Sequence, residues 1–248
     1  MNLKYVTLTG ADENTNVGDL VKLSDKHPKV EWAFLHSING NATKPKYPSL
    51  GWIANAVAQL EEHNIAIHIC GTLVNEYVYG IRDLAWLSKI NNPYNIRVQL
   101  NIPAYIDVSA EHFIVNFSRM LEKNSLIQFI VQHNTRNANS VIKMLNHINM
   151  AQIKNIQVLR DCSGGRGIRE SSWSLPENLP RFVPYGFAGG IGPDTVLDDI
   201  AALKGLVGQS HIRIDMESSL REKAKTCDTI FSIPACTDIL EKIQNCDV

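Results

Sequence analysis

Polar and ionisable residues stand where short apolar runs of this chain end, and these are the groups equipped for chemistry. Asp161 closes the run Asn155–Asp161. It can act as a general acid, or be held in an ion pair by Arg160, Arg166 or Arg169. Asp12, three residues past Thr9, is a second carboxyl that could serve as base or could be a polar residue preceding a helix. His68 and Cys70 are two apart on one run and so face the same way. They read either as a catalytic pair with His68 as base, or as a neutral buried imidazole beside an inert thiol. Zinc wants three or four ligands, so this pair alone gives no reason to expect a metal. Gln99 and Asn101 form a second same-face pair. His133, between Gln132 and Asn134, can meet a base or sugar edge or lie on an outer face against a helix.

Two glycine-rich turns add a way to hold an anion. Gly189-Gly190-Ile191-Gly192-Pro193-Asp194 follows an apolar run and precedes a helical pattern. Glycines let backbone N–H groups approach a phosphate, and a helix N-terminus adds partial positive charge. The same glycines would also suit a tight turn that needs positive φ. Ser163-Gly164-Gly165-Arg166-Gly167 reads as a lid whose Arg166 or Arg169 meets an acid group, or as a plain surface loop. Glu217 and Ser218 end the last run. A carboxylate at Glu217 would repel phosphate, so it is expected to face a ribose hydroxyl or a basic side chain. Trp52, Trp86 and Trp173 read as packing residues, with Trp173 also able to stack on a ring.

The elements that would position these groups are eight short strand candidates alternating with helical ones. The strands are 3–9, 30–37, 65–70, 95–101, 126–133, 155–161, 182–188 and 211–216. The helices are 17–27, 50–63, 74–90, 110–123, 137–149, a weak one near 170–173, 194–206 and 235–245. Pro48-Ser49, Ser109 and Gly192-Pro193-Asp194 supply start signals. Leu50, Ile53, Ala54, Val57 and Leu60 have the spacing of one buried helix face. Eight alternations in 248 residues favour a closed (β/α)8 TIM barrel, one unit over residues 1–248, above an open doubly wound sheet. In such a barrel ligands are handled at the C-terminal strand ends, where the polar residues fall.

Composition bounds the rest. Hydrophobic residues are 44% and charged residues 20%, enough apolar matter for a core. With 24 basic and 25 acidic residues, the chain lacks the basic surface that general nucleic-acid binding needs. No apolar run approaches the ~20 residues of a membrane helix. The five cysteines, 70, 162, 227, 236 and 246, are scattered without a CxxC pair, as in a reduced, cytoplasmic protein. No organic cofactor is indicated, and an oligomer is possible.

Taken in order, these motifs resemble phosphoribosylanthranilate isomerase, a barrel enzyme of tryptophan synthesis. The resemblance runs through Val6-Thr7-Leu8-Thr9-Gly10, Lys44-Pro45-Lys46-Tyr47, Leu73-Val74-Asn75-Glu76 and Val98-Gln99-Leu100-Asn101. It continues in Leu159-Arg160-Asp161 with Gly164-Gly165-Arg166-Gly167, in Gly189 to Val196, and in Asp215-Met216-Glu217-Ser218-Ser219-Leu220-Arg221. It implies a phosphate site at the last two loops and a ring-opening, proton-moving isomerisation with a Cys base and an Asp acid. Asp161 matches the acid. Thr9 stands at the base, Asn101 at a strand-four His and Lys46 at a basic-loop Arg.

The expectation is therefore a protein that binds a small phosphorylated sugar or nucleotide-like ligand. It would act as an isomerase or proton-transfer enzyme outside tryptophan synthesis. The alternative is a non-catalytic protein that senses or sequesters such a ligand. The catalytic candidates are Asp161, Asp12 and His68. The ligand-binding candidates are Thr9, Lys46, Gln99, Asn101, His133, Gly164, Gly165, Arg166, Gly189, Gly190, Glu217 and Ser218.

Overall fold

The computed structural model describes residues 2–38, 44–87, 96–148, 153–161, 163–164, 167–169, 172–175, 178–180, 183–223 and 229–246. Cys162, Gly165 and Arg166 lie outside these residues.

Eight parallel strands close on themselves in chain order: β1 (Asn2–Thr9), β2 (Val30–His36), β3 (Asn64–Cys70), β4 (Ile96–Asn101), β5 (Gln128–His133), β6 (Ile156–Asp161), β7 (Tyr185–Ala188) and β8 (His211–Met216). Thr7 pairs with Asp215 and with Glu31, so β1 closes the barrel between β8 and β2. Each strand presents one set of side chains to helices and the alternate set to the lumen. Val6, Leu8, Trp32, Phe34, Ile65, Ile67, Val98, Leu100, Phe129 and Val131 belong to the outer core under the helices. Ile130, Leu159 and Ala188 form a separate small cluster that fits the lumen parity.

The helices are α1 (Val17–Lys26), α2 (Leu50–Gln59), α3 (Leu73–Val78), α4 (Glu111–Lys123), α5 (Ala138–His147), α6 (Val196–Val207) and α7 (Ile233–Gln244). Asn16, Ser49 and Ser232 cap α1, α2 and α7, accepting hydrogen bonds from backbone N–H groups of Gly18, Trp52 and Ala235. On α2 the buried face is Ile53, Ala56 and Val57, continued by Leu60 in the C-cap, whereas Leu50 and Ala54 are exposed. The third helix is much shorter than its pattern implies. Gly80 takes φ +71° just past Tyr79, the left-handed geometry that ends helices. Residues 172 and 173 of the weak candidate are not helical, and 170–171 lie outside the described residues. A short antiparallel pair, β9 (Arg221–Lys223) with β10 (Thr229–Phe231), follows β8 and has no counterpart in the sequence pattern. Among the described residues no helix is long and apolar enough to cross a membrane.

Candidate functional site

The C-terminal ends of β3, β4, β5, β6 and β8 converge on one chamber, bounded by the glycine turn after β7 and by Ser218 and Ser219. Strand parity explains the membership: Gln99, Gln132, Asp161 and Asp215 share the lumen face with His68. The chamber has about 60 Å³ of room for water-sized molecules, enough for a few waters or one small group. A wider recess of about 270 Å³ adjoins it, lined by Lys46, Tyr47, Asn134, Arg136 and Gly164, and shares Asn101, Gln132 and Glu217 with the chamber.

Among the described residues, Asp161 accepts from Gln132 Nε2 at 2.6 Å, from the Ser163 hydroxyl at 2.7 Å and from the Ser163 backbone N–H at 3.0 Å. Arg169, one of the expected ion partners, turns away and donates to Asp199 Oδ1 on α6 at 3.0 Å. Trp173 also donates to Asp199 and packs edge-on against Phe187, so its ring is engaged in packing.

Asp215, not among the sequence candidates, is a further carboxyl of the chamber. Thr9 donates to its Oδ1 at 2.6 Å. Burial pushes its pKa up to about 7, against the pull of Arg213 and the Thr9 hydrogen bond and with a further push from Glu217 and Asp161. His68 reaches toward it across the lumen, Nε2 lying 3.9 Å from Oδ2. Burial, then Arg213, lowers His68 to about 3, so its ring is neutral. The Gln99 amide nitrogen lies 3.4 Å from His68 Nδ1, and His68 Nε2 is the ring atom that faces Asp215. Gln99 also donates to Asn101 Oδ1, and Asn101 in turn to the Cys70 sulfur. Burial holds the Cys70 thiol up at about 12, and it donates to the His68 carbonyl. It is a packed thiol and no nucleophile near neutral pH. Among the described residues no cluster of three His, Cys, Asp or Glu could hold a metal ion.

Lys46 and Glu217 bridge the mouth at 2.5 Å. Burial alone would lower the Lys46 pKa, but the Glu217 carboxylate, joined by Tyr47 and Cys70, raises it. Glu217 thus faces a basic side chain, one of the two expected partners. The glycine turn has positive φ at Gly189 (+119°) and Gly190 (+71°). The loop after β6 lies directly on it: a Cβ on Gly190 would fall 2.4 Å from the Arg169 backbone N, and one on Gly167 would fall 2.6 Å from Ser218 Cβ.

Two sequence candidates stand apart from the chamber. Asp12 is buried in an ion pair with Arg221 at 2.7 Å, and the same guanidinium donates to the carbonyls of Gly10 and Thr229. Arg221, on β9, thus ties β10 to the loop after β1. His133 has the opposite strand parity to Gln132 and lies outside the lumen, in a separate recess with Asn139, Arg160 and Asn178. Gly165 and Arg166 fall outside the described residues.

No known protein family matches the chain. No curated protein matches it either. Solved structures do. A spore coat polysaccharide biosynthesis protein from Bacillus subtilis superposes with a TM-score of 0.53 at 9% identity, over 97% of this chain and 66% of the other. A phospho-2-dehydro-3-deoxyheptonate aldolase from Thermotoga maritima gives 0.54 at 13% identity, over 98% of this chain and 68% of the other. At these identities the likeness is one of fold: the chain is a (β/α)8 barrel and spans about two thirds of the length of these two structures.

Proposed function

We propose that this barrel, taken as one unit over residues 1–248, binds a small phosphorylated sugar or nucleotide-like ligand at its C-terminal mouth and moves a proton on it. The reading is of an isomerase-like enzyme outside tryptophan synthesis. The observation that carries it is the pair Asp161 and Asp215, two carboxyls from β6 and β8 in one small chamber but in unlike surroundings. Asp215 can hold a proton near neutrality and deliver it to a ligand oxygen. Asp161, oriented by Gln132 and Ser163, is set to take a proton from an adjacent carbon. This exchanges the acid role expected of Asp161 for the acceptor role. Asp12 drops out because Arg221 holds it. His68 serves as a neutral N–H donor.

The phosphate is assigned to the glycine turn and Ser218, where backbone N–H groups and a hydroxyl can meet it. Glu217 does not oppose this, because Lys46 neutralises it at contact distance. The wider recess takes the rest of the ligand, with Lys46, Asn101 and Gly164 as neighbours.

The test is a thermal-shift series with inorganic phosphate, ribose 5-phosphate, and linear and cyclic nucleotides, followed by recovery of the bound compound from D2O. A ligand that binds the folded state raises the melting midpoint by mass action. The expected result is a rise with one phosphorylated class, deuterium incorporated into that ligand, and loss of the incorporation in Asp161→Asn. A rise with the ligand recovered unchanged selects the binding-protein reading instead. That second reading has its own support: Thr9 stands where the resembled family has its base, and its hydroxyl is spent on Asp215. No rise with any of them overturns the phosphate assignment.

A further inference from the structure

Directly beneath the chamber, the lumen is charged. Glu31 on β2 accepts from Arg213 Nη2 of β8 at 2.8 Å and from the Thr7 hydroxyl of β1 at 2.7 Å. Its other oxygen pairs with Arg97 Nε of β4. Strands β2 and β4 are not neighbours, so the Glu31–Arg97 contact crosses the lumen. All three side chains are at most 2% exposed. Barrel interiors are usually filled by branched apolar residues, and taking three charges out of water is costly unless they pair.

The fold makes specific room for this group. Gly186 on β7 lies where a Cβ would come within 2.1 Å of Arg213 Cγ, so the arginine stem crosses the space a side chain would fill. Arg97 is covered on another side by the Tyr5 ring, 3.7 Å from its guanidinium. One carboxylate serves two guanidiniums, and burial lowers both arginines only to about 10, so one positive charge is left over at neutral pH. Among the described residues, Arg213 Nε and Nη1 have no hydrogen-bond partner. The next lumen residue up the same strand is Asp215.

We propose that Arg213 is a positioning residue. Held from below by Glu31 and Thr7, it supplies the counter-charge that sets how readily the Asp215 carboxyl gives up its proton. Among the described residues, the charged and titratable groups around Asp215 are Arg213 and Glu217 on its own side of the barrel, His68 on β3 and Asp161 on β6, with β1 offering the Thr9 hydroxyl. His68 is neutral, and Glu217 and Asp161 both oppose ionisation. Arg213 is therefore the cation that favours the carboxylate. The inference deepens the reading above, since it matters for turnover only if Asp215 is the proton donor.

The experiment is a carbon-13 NMR titration of the Asp215 carboxyl in the ligand-free protein, assigned with Asp215→Asn. Arg213→Met should raise the midpoint by one pH unit or more, the lower end of what a close charge does. Arg213→Lys should return most of it. Glu31→Gln, which keeps the guanidinium and removes its carboxylate, should lower the midpoint and covers the case in which Arg213→Met fails to fold. A midpoint unmoved in either folded charge variant overturns the proposal. No ligand is needed, so this outcome is separate from the ligand screen: either can fail while the other stands.

Discussion

The Thr9 hydroxyl donates to Asp215 Oδ1 across the seam where the first strand meets the eighth. The last residue of the first strand thus orients a carboxyl contributed more than 200 residues later. The arrangement gives the barrel closure a chemical role: the geometry of Asp215 depends on the β1–β8 register, which pairs Thr7 with Asp215 and Leu8 with Met216.

That carboxyl should leave a signature in stability. Its pKa rises from 3.8 to about 7 on folding. The stability this lends is complete below the unfolded value and is lost as pH rises through the folded one. His68 works in the opposite sense. Its pKa falls from 6.5 to about 3, so its contribution is present above 6.5 and lost as pH falls toward 3. The two overlap, and the Asp215 share appears in a difference. Relative to the native chain, Asp215→Asn should gain stability between pH 4.5 and 7.5, read from urea midpoints. A difference constant with pH would count against it.

Asp12 should prove structural. Its carboxylate pairs with a buried Arg221 that also grips Gly10 and Thr229. Removing one member of a buried pair costs about 3–5 kcal/mol. Asp12→Ala should therefore melt well below the native protein while the folded fraction still binds ribose 5-phosphate as before. Calorimetry and titration separate the two effects.

The Lys46–Glu217 bridge should govern affinity for phosphate-bearing ligands. Lys46→Met exposes the ligand to an unpaired Glu217 carboxylate, and affinity for ribose 5-phosphate should fall tenfold or more, about 1.4 kcal/mol. Adding Glu217→Gln to that variant should recover much of the loss. Titration calorimetry on the four members of the cycle measures the coupling.

Two glycines should respond in opposite directions to the same change. Gly205 is in the interior of α6, exposed, with nothing within 4 Å of a Cβ. Gly205→Ala should stabilise by roughly 0.5–1 kcal/mol. Gly186→Ala drives a methyl into the Arg213 stem and should cost ~1–3 kcal/mol as overpacking. Denaturant midpoints compare them directly.

The alternation of apolar runs made the eightfold barrel legible, and the strand-end rule pointed to Asp161, Gln99, Asn101 and the glycine turn. What escaped was parity carried one step further. Counting back by two from Asn101 and Gln99 reaches Arg97, and from Glu217 reaches Asp215 and Arg213, all on the lumen face. The same count separates His133 from Gln132. The charged layer went unread because charge in a barrel lumen is normally excluded. Asp12 was legible as a carboxyl near the mouth, but its partner Arg221 lies 209 positions away, and no local pattern reports such a pairing. The short α3 could have been read from Gly80, which interrupts the helical spacing.

The fit between Gly186 and Arg213 also constrains how this chain can change over generations. The two positions sit on adjacent strands, one step below the Phe187–Ile214 pairing, and share one volume. A lineage that first trims the arginine can later fill the space from the β7 side. A lineage that first enlarges residue 186 meets a strained intermediate. Substitutions at these two places should therefore be ordered in ancestry, with the shrinkage of 213 preceding the growth of 186.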